Sequence, residues 1–339
     1  LFSILTMLQF LKRLWKFLLI GMVPIALLLL GYLYFDPFKT LRPYADYSYP
    51  YVVPNRDYIS TEAFLHREKQ NQYNAFIFGS SRTLGFRPDS WRKYLPDTAH
   101  PFVFDASAES IFGIYTKLKL IDSMKVPINN ALLVFCRDVT FRTDKNSTGL
   151  LYIKHPATSG ESKLAFQWSF LKAYLSPRFL FSFYTYEFTH KYRPFMKEYI
   201  EKRRIVYDKV SNEITILDQD EAIAKNPEQY YAERKQMFSI ARPERTDSIA
   251  RINANMKQML DGIRAILDRN HTAYKIVLSP LYERVHFNPA DKQILEHIFP
   301  QHVYDYTGNN QFTSSMYNYY ESNHFRPAVG DSILAQIYR

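Results

Sequence analysis

Three side chains near opposite ends of the chain have the types and spacing of an acyl-transfer site. Ser81 ends the triplet Gly79-Ser80-Ser81 in AFIFGSSRTL, and Glu321 and His324 stand three positions apart in YNYYESNHFRPAV. A serine hydroxyl is a poor nucleophile until a base takes its proton, and an imidazole can do that. A carboxylate on the other ring nitrogen fixes the tautomer and stabilises the imidazolium that forms. Each motif also has a plain structural use, the serines in a loop and the acid–histidine pair in a solvent-facing turn. Together they predict a testable pairing.

The elements that must position them follow from the apolar pattern. Candidate strands cover 74–79 (NAFIFG), 102–106 (FVFDA), 131–136 (ALLVFC), 274–280 (YKIVLSP) and 302–307 (HVYDYT). Their apolar residues are continuous, which suits a sheet covered on both faces. Helices are expected over 61–72, 88–95, 109–124, 245–270, 291–299 and 327–338. The fourth is the clearest, with an apolar stripe of Ile249, Ile252, Met256, Leu260, Ile263 and Leu267 at helical spacing. Strand and helix alternate, so the expected fold is α/β with a mainly parallel sheet. Ligands of such sheets bind beyond the carboxyl ends of the strands. Ser81 falls there, on a turn whose N–H groups can face an oxyanion.

Two segments stand outside this alternation. Residues 17–35 read FLLIGMVPIALLLLGYLYF, nineteen positions without a charge. About 20 apolar residues span a bilayer, and Pro24 is tolerable there. Lys12, Arg13 and Lys16 precede the run and Asp36 follows it. The positive-inside rule then predicts a retained signal anchor, with residues 36–339 outside the cytoplasm. Residues 140–245 are aromatic and basic and read as a mostly helical insertion with a small hairpin near 209–220. It suits a lid over the groove, a packed peripheral layer, or contact with the membrane through 175–184. The expected organisation is an anchor over 1–35, a stalk or strap over 36–72, an α/β domain from 73–139 and 246–339, and the insertion.

Composition excludes several classes. The 339 residues carry 43 basic and 33 acidic side chains, a formal charge of +10, which suits an anionic partner or a lipid surface. The basic residues are dispersed and no nucleic-acid-binding motif is present, so no nucleic-acid partner is expected. The histidines lack metal-ligand spacing, and no phosphate-binding or dinucleotide glycine loop occurs, so neither metal nor cofactor is expected. The one cysteine, Cys136, reads as a buried strand residue.

FIFGSSRT, the parallel α/β pattern and the late acid-x-x-His before a closing helix resemble the SGNH hydrolase superfamily. The single N-terminal span followed by Gly-Ser-Ser resembles its extracytoplasmic DltD-like and alginate-acetylation (AlgJ/AlgX-like) members, over roughly 74–139 and 272–338. The resemblance implies a three-layer, flavodoxin-like sandwich, with Ser81 as nucleophile, His324 as base and Glu321 in place of the usual Asp. It implies a bacterial inner-membrane protein with a periplasmic body. Its substrates would be an acylated donor and a cell-envelope glycan, and a membrane-bound O-acyltransferase would be its partner. The family's second and third blocks supply a glycine N–H and an asparagine amide to the oxyanion. Here Ser107 in FDASAES occupies the second place, and Arg137 and Asp138 in CRDVTF occupy the third. Arg82 beside the serine is a further candidate for binding an anion, or for pairing with Asp105 or Asp138. Tyr282, Glu283 and Arg284 are expected to line the groove.

Overall fold

The computed structural model describes residues 2–144, 149–239 and 242–339. Helix α1, Phe2–Phe35, contains the uncharged run. Its stretch Thr6–Phe35 is long and apolar enough to cross a membrane, and almost none of it is buried in the protein. Residues 36–55 then lie on the folded body as a strap. Its first turn is tied by the Asp36 carboxylate, which accepts from the Thr40 N–H at 2.9 Å and the Tyr44 hydroxyl at 3.0 Å.

Five strands build one parallel sheet: β1 Ala75–Gly79, β2 Pro101–Asp105, β3 Asn130–Phe135, β4 Ala273–Leu278 and β5 Val303–Asp305. Their order is β2-β1-β3-β4-β5. The chain passes from β1 outward to β2, then returns across β1 to β3. The connections leaving β1 and β3 therefore diverge, and a crevice opens at the carboxyl edge between them.

Every residue of β1, β2 and β3 is buried, which is why these strands read as unbroken apolar runs. On one face Phe76, Phe78, Phe102 and Phe104 pack against Phe64 of α2 (Arg56–Asn71), Ile114 and Leu118 of α3 (Ile111–Ser123), and Leu260 and Ile263 of α4 (Ala254–Arg269). Leu295 of α5 (Pro289–Ile298) joins them. On the other face Ile77, Leu132 and Val134 meet Trp91, and Ile333 and Leu334 of α6 (Pro327–Ile337). The result is an α/β sandwich with a parallel central sheet.

Two helix starts differ from expectation, and both differences trace to asparagine caps. The helix expected from 61 begins at Arg56, because the Asn55 side chain accepts from the Tyr58 N–H at 2.9 Å. The helix expected from 245 begins at Ala254, where Asn253 accepts from the Met256 N–H at 2.9 Å. Arg245–Thr246 instead pairs in parallel with Val285–His286, and Ile249, read as part of the buried stripe, is exposed.

Between β3 and β4 lie the helices Lys163–Tyr174, Pro177–Thr189, Leu217–Lys225 and Pro227–Glu233, and an antiparallel hairpin of Ile205–Tyr207 with Ile214–Ile216. Glu213 closes that hairpin. Burial pushes its carboxyl up to about 7, and Arg87, 3.9 Å away, offsets only part of this. An acid whose folded value is raised stabilises the fold while protonated. That contribution is whole below its unfolded value near 4.5 and is lost as pH rises through 7. Glu213→Gln is therefore expected to stabilise the protein by about 1–3 kcal/mol at pH 8 and by nothing measurable at pH 4. Thermal melts of the two proteins at both pH values check this.

Candidate active site

β1 ends at Gly79, whose φ is +154°; a Cβ there would sit 2.7 Å from the Val134 carbonyl oxygen. The glycine lets the chain leave the sheet against β3 and enter a 3-10 turn, Ser81–Gly85. Ser80 is the structural serine of the pair. It is buried, caps the turn, and lies 3.3 Å from the Cys136 sulfur. Ser81 opens the turn, where its N–H has no preceding helical turn to take it up, and its side chain lines a cavity.

Tyr319–Glu321 and His324–Phe325 form a two-stranded antiparallel hairpin, in which Glu321 and His324 are direct partners across a two-residue turn. This gives the i, i+3 spacing its geometry. The Glu321 carboxylate hydrogen-bonds His324 Nδ1, and Ser81 Oγ lies 2.6 Å from His324 Nε2. A carboxylate only accepts, so Nδ1 carries the proton and Nε2 is left to accept from the serine. Burial works to raise the Glu321 carboxyl, but the hydrogen bond and charge of His324 outweigh it and hold the group below the usual range. The second Glu321 oxygen accepts from the Asn323 N–H at 2.9 Å. Asn323 therefore steadies the carboxylate through its backbone, and its side chain takes no orienting role on the histidine.

Arg82 joins the two halves. Its guanidinium grips Asp138 through two bonds of 2.7 Å, and its Nε donates to the Asn323 carbonyl at 3.1 Å. Burial opposes its charge, yet the partners, Asp138 among them, raise its pKa overall. With both ends occupied and only 5% exposed, Arg82 is a positioning residue between the serine turn and the histidine hairpin. It is not open to a polymer. Arg82→Lys keeps the charge but loses the two-pronged grip. If the Ser81–His324–Glu321 row is catalytic, this change is expected to lower kcat about tenfold or more with KM little changed, and circular dichroism should show the fold retained.

A further contact fixes the same turn. α6 approaches so closely that a Cβ on Gly330 would overlap the Gly85 carbonyl, and one on Gly85 would overlap the Phe325 ring. The serine turn, the histidine hairpin and α6 are thus one packed unit.

The serine, histidine and acid line a cavity of about 350 Å³ together with Ser107. Its walls are mostly aliphatic: Val53 and Pro54 of the strap, Leu84, Leu151, and Ile205, Ile214 and Ile216 of the hairpin. Polar groups in it are Arg56, Glu201, Arg203, Tyr207 and Gln219. A second cavity, of about 290 Å³, shares Val53, Leu151 and Tyr152 with the first and is walled by Phe38, Phe170 and Phe179.

Other expected groove residues lie elsewhere. Arg137 is committed to Asp247 at 2.7 Å and to Glu283, and does not line the cavity. Asp138 is spent on Arg82. Tyr282 is buried beneath Arg242, whose guanidinium carbon lies 3.7 Å from the ring centre, with Phe238 and Tyr319 on its edges. Arg284 donates to the Thr313 and Ser314 carbonyls. The expectation that these residues line the groove is corrected: the loop after β4 packs inward against the aromatic layer over the sheet.

Arg56 was not visible as a site residue. It enters the cavity because α2 starts early, and it pairs with Asp105 at the carboxyl end of β2. Burial lowers its pKa to about 10, so it remains cationic at neutral pH. Behind it lies a buried cluster. Lys117 Nζ donates to the Asp105 carbonyl at 2.7 Å and to Glu109 at 2.6 Å, and sits 3.1 Å from Asp57. Lys154 also bridges Asp57, at 3.1 Å, and Glu109. Asp57 adjoins Arg56 and Glu109 follows Ser107 by two positions, so this cluster holds both cavity residues in place. Among the described residues no group of histidine, cysteine and acid side chains is arranged to hold a metal. No known protein-family profile matches this chain, and no curated protein matches it.

Proposed function

We propose that this is a membrane-anchored serine acyltransferase or esterase of the SGNH type, acting outside the cytoplasm on acyl esters of a cell-envelope or exported polysaccharide. The observation that carries the reading is the hydrogen-bonded row Ser81–His324–Glu321 facing a cavity. Ser81 Oγ attacks the carbonyl carbon of an ester or thioester, and its proton passes to His324 Nε2. The tetrahedral oxyanion collapses, and the departing alkoxide or thiolate takes that proton from His324. A glycan hydroxyl, or water, then attacks the acyl-serine, giving its proton to His324, which returns it to Ser81. The Ser81 N–H, the Ser107 loop and the Arg56 cation are the groups available to the developing oxyanion.

A second reading has its own support. Arg137 and Asp138, at the place where the family offers an asparagine, are tied into ion pairs away from the cavity. One missing oxyanion donor costs about 3 kcal/mol in comparable sites. The chain would then serve as a non-catalytic partner of a membrane-bound O-acyltransferase or a polysaccharide exporter. Treating the full chain with an alkyl fluorophosphonate separates the readings. The first expects one adduct, mapped to Ser81 and absent in Ser81→Ala and His324→Ala. Lack of any adduct on the wild type would leave the second.

A further inference from the structure

The helices Lys163–Tyr174 and Pro177–Thr189 are apolar on two sides. One side is used: Phe166, Phe170, Tyr174, Phe179 and Phe183 are buried in a cluster with Tyr32 of α1 and Phe38. The other side is bare. Leu164 is 82% exposed, Trp168 57%, Phe181 64% and Phe188 80%. A soluble helix keeps one apolar stripe and a polar back. On this pair the outward side instead mixes large apolar side chains with a few polar ones, Ser169 and Thr189 among them, and exposed basic residues, Lys163, Lys172, Arg178 and Lys191, stand at the helix ends and flanks.

The contact with α1 sets where the bare side sits. If the hydrocarbon begins after Lys16, a core of about 30 Å at 1.5 Å per residue ends about 20 residues later, near Asp36. The helical pair meets α1 in the last turns before that point. Gly31 has no side chain, and the Tyr174 and Tyr184 hydroxyls, 2.7 Å apart, occupy the space where one would be. Phe35 packs edge-on against Phe183 and Tyr184, with ring centres 5.5 and 6.1 Å away. Aromatic rings at this depth, with lysines and arginines beside them, are what the boundary between acyl chains and headgroups favours.

We propose that the helical pair 163–189 is seated in the bilayer leaflet facing the folded body, with Leu164, Trp168, Phe181 and Phe188 among the lipids. The span alone would leave the body free to swivel on its strap. The seat adds a second attachment, and it fixes the Ser81 cavity at a constant height over the membrane. This inference rests on α1 crossing the membrane, not on the chemistry at Ser81.

The test uses the full chain in phosphatidylcholine–phosphatidylglycerol vesicles. In a Cys136→Ala background, nitroxides are placed at Leu164→Cys, Phe181→Cys and Phe188→Cys. Leu19→Cys serves as the hydrocarbon standard, and Val210→Cys and Met237→Cys as water standards. The ratio of oxygen to nickel-chelate accessibility at the three hairpin sites should follow Leu19 and exceed Val210 and Met237 several-fold. Ratios equal to the water standards overturn the proposal. So does low accessibility to both reagents, which means a protein partner or a second copy covers the face. Should Cys136→Ala fail to fold, the native cysteine is kept and brominated-lipid quenching is compared between wild type and Trp168→Phe. A lipid-seated Trp168 supplies a quenched component that the variant loses, and an unchanged quenching profile counts against the seat.

Discussion

Replacing Ser81 or His324 by alanine is expected, on the proposed function, to lower kcat/KM for an activated acyl ester by about 10⁴–10⁶-fold, and replacing both should lower it no further. The reason is the 2.6 Å hydrogen bond between them. Without the imidazole the hydroxyl keeps its proton, and without the hydroxyl the imidazole has nothing to activate, so each loss removes the same step. Glu321→Gln is a different lesion. The amide can donate as well as accept, so it can present N–H to His324 Nδ1 and hold the ring in the wrong tautomer. A loss of about 10²–10⁴-fold is expected, with Ser81 still present. Steady-state kinetics on the wild type and the four variants give the order. Additive losses in the double variant would mean that Ser81 and His324 do not act as a unit.

The second large effect is on stability. Lys117→Met removes one of two cations from a cluster in which Asp57, Glu109 and Lys117 are fully buried and Lys154 is 3% exposed. The Asp57 carboxyl is held well below its usual range: burial alone would raise it, and Lys117 and Lys154 together reverse that. Breaking a buried ionic group by deleting one partner costs about 3–5 kcal/mol, because the remaining charge is left uncompensated. That is a large part of a domain's typical stability of about 5–15 kcal/mol. Lys117→Met/Glu109→Gln restores charge balance and should recover at least half of the loss. Chemical denaturation in detergent, followed by far-UV circular dichroism, measures both. A single-variant cost below about 1 kcal/mol would show that water already compensates the cluster.

How far the sequence reached depended on the kind of signal. The five strands are legible because burial on both faces forces unbroken apolar runs, and the N-terminal helix is legible because its uncharged apolar run is continuous and long enough to cross a membrane. Ser81, Glu321 and His324 are legible because few side-chain types can form such a hydrogen-bonded row, and because Glu321 and His324 keep a local spacing. Arg56 is not. Its place depends on where α2 starts, which a single Asn55 hydrogen bond decides, and on a strand edge 49 residues away. Arg137 and Tyr282 were misplaced for a similar reason. Asp247, the partner of Arg137, comes from a segment that reads as continuous helix, and Arg242, over Tyr282, comes from the insertion just before it. Periodicity finds elements, but the direction in which a rim side chain turns is set by charges that only the folded chain brings near.

The separation of 243 positions between Ser81 and His324 also has a meaning in time. At a synthesis rate of about 5–20 residues per second, the serine half precedes the histidine half by roughly 12–50 s. During that interval β1 can pair and its serine turn can form, yet the hydroxyl has no base. The last strand pair and α6 arrive together, and with them the packing of Gly330 on Gly85 that seats the turn. A chain cut short before His324 carries Ser81 without its imidazole partner. On the proposed function, reactivity at Ser81 therefore reports that synthesis has passed α6.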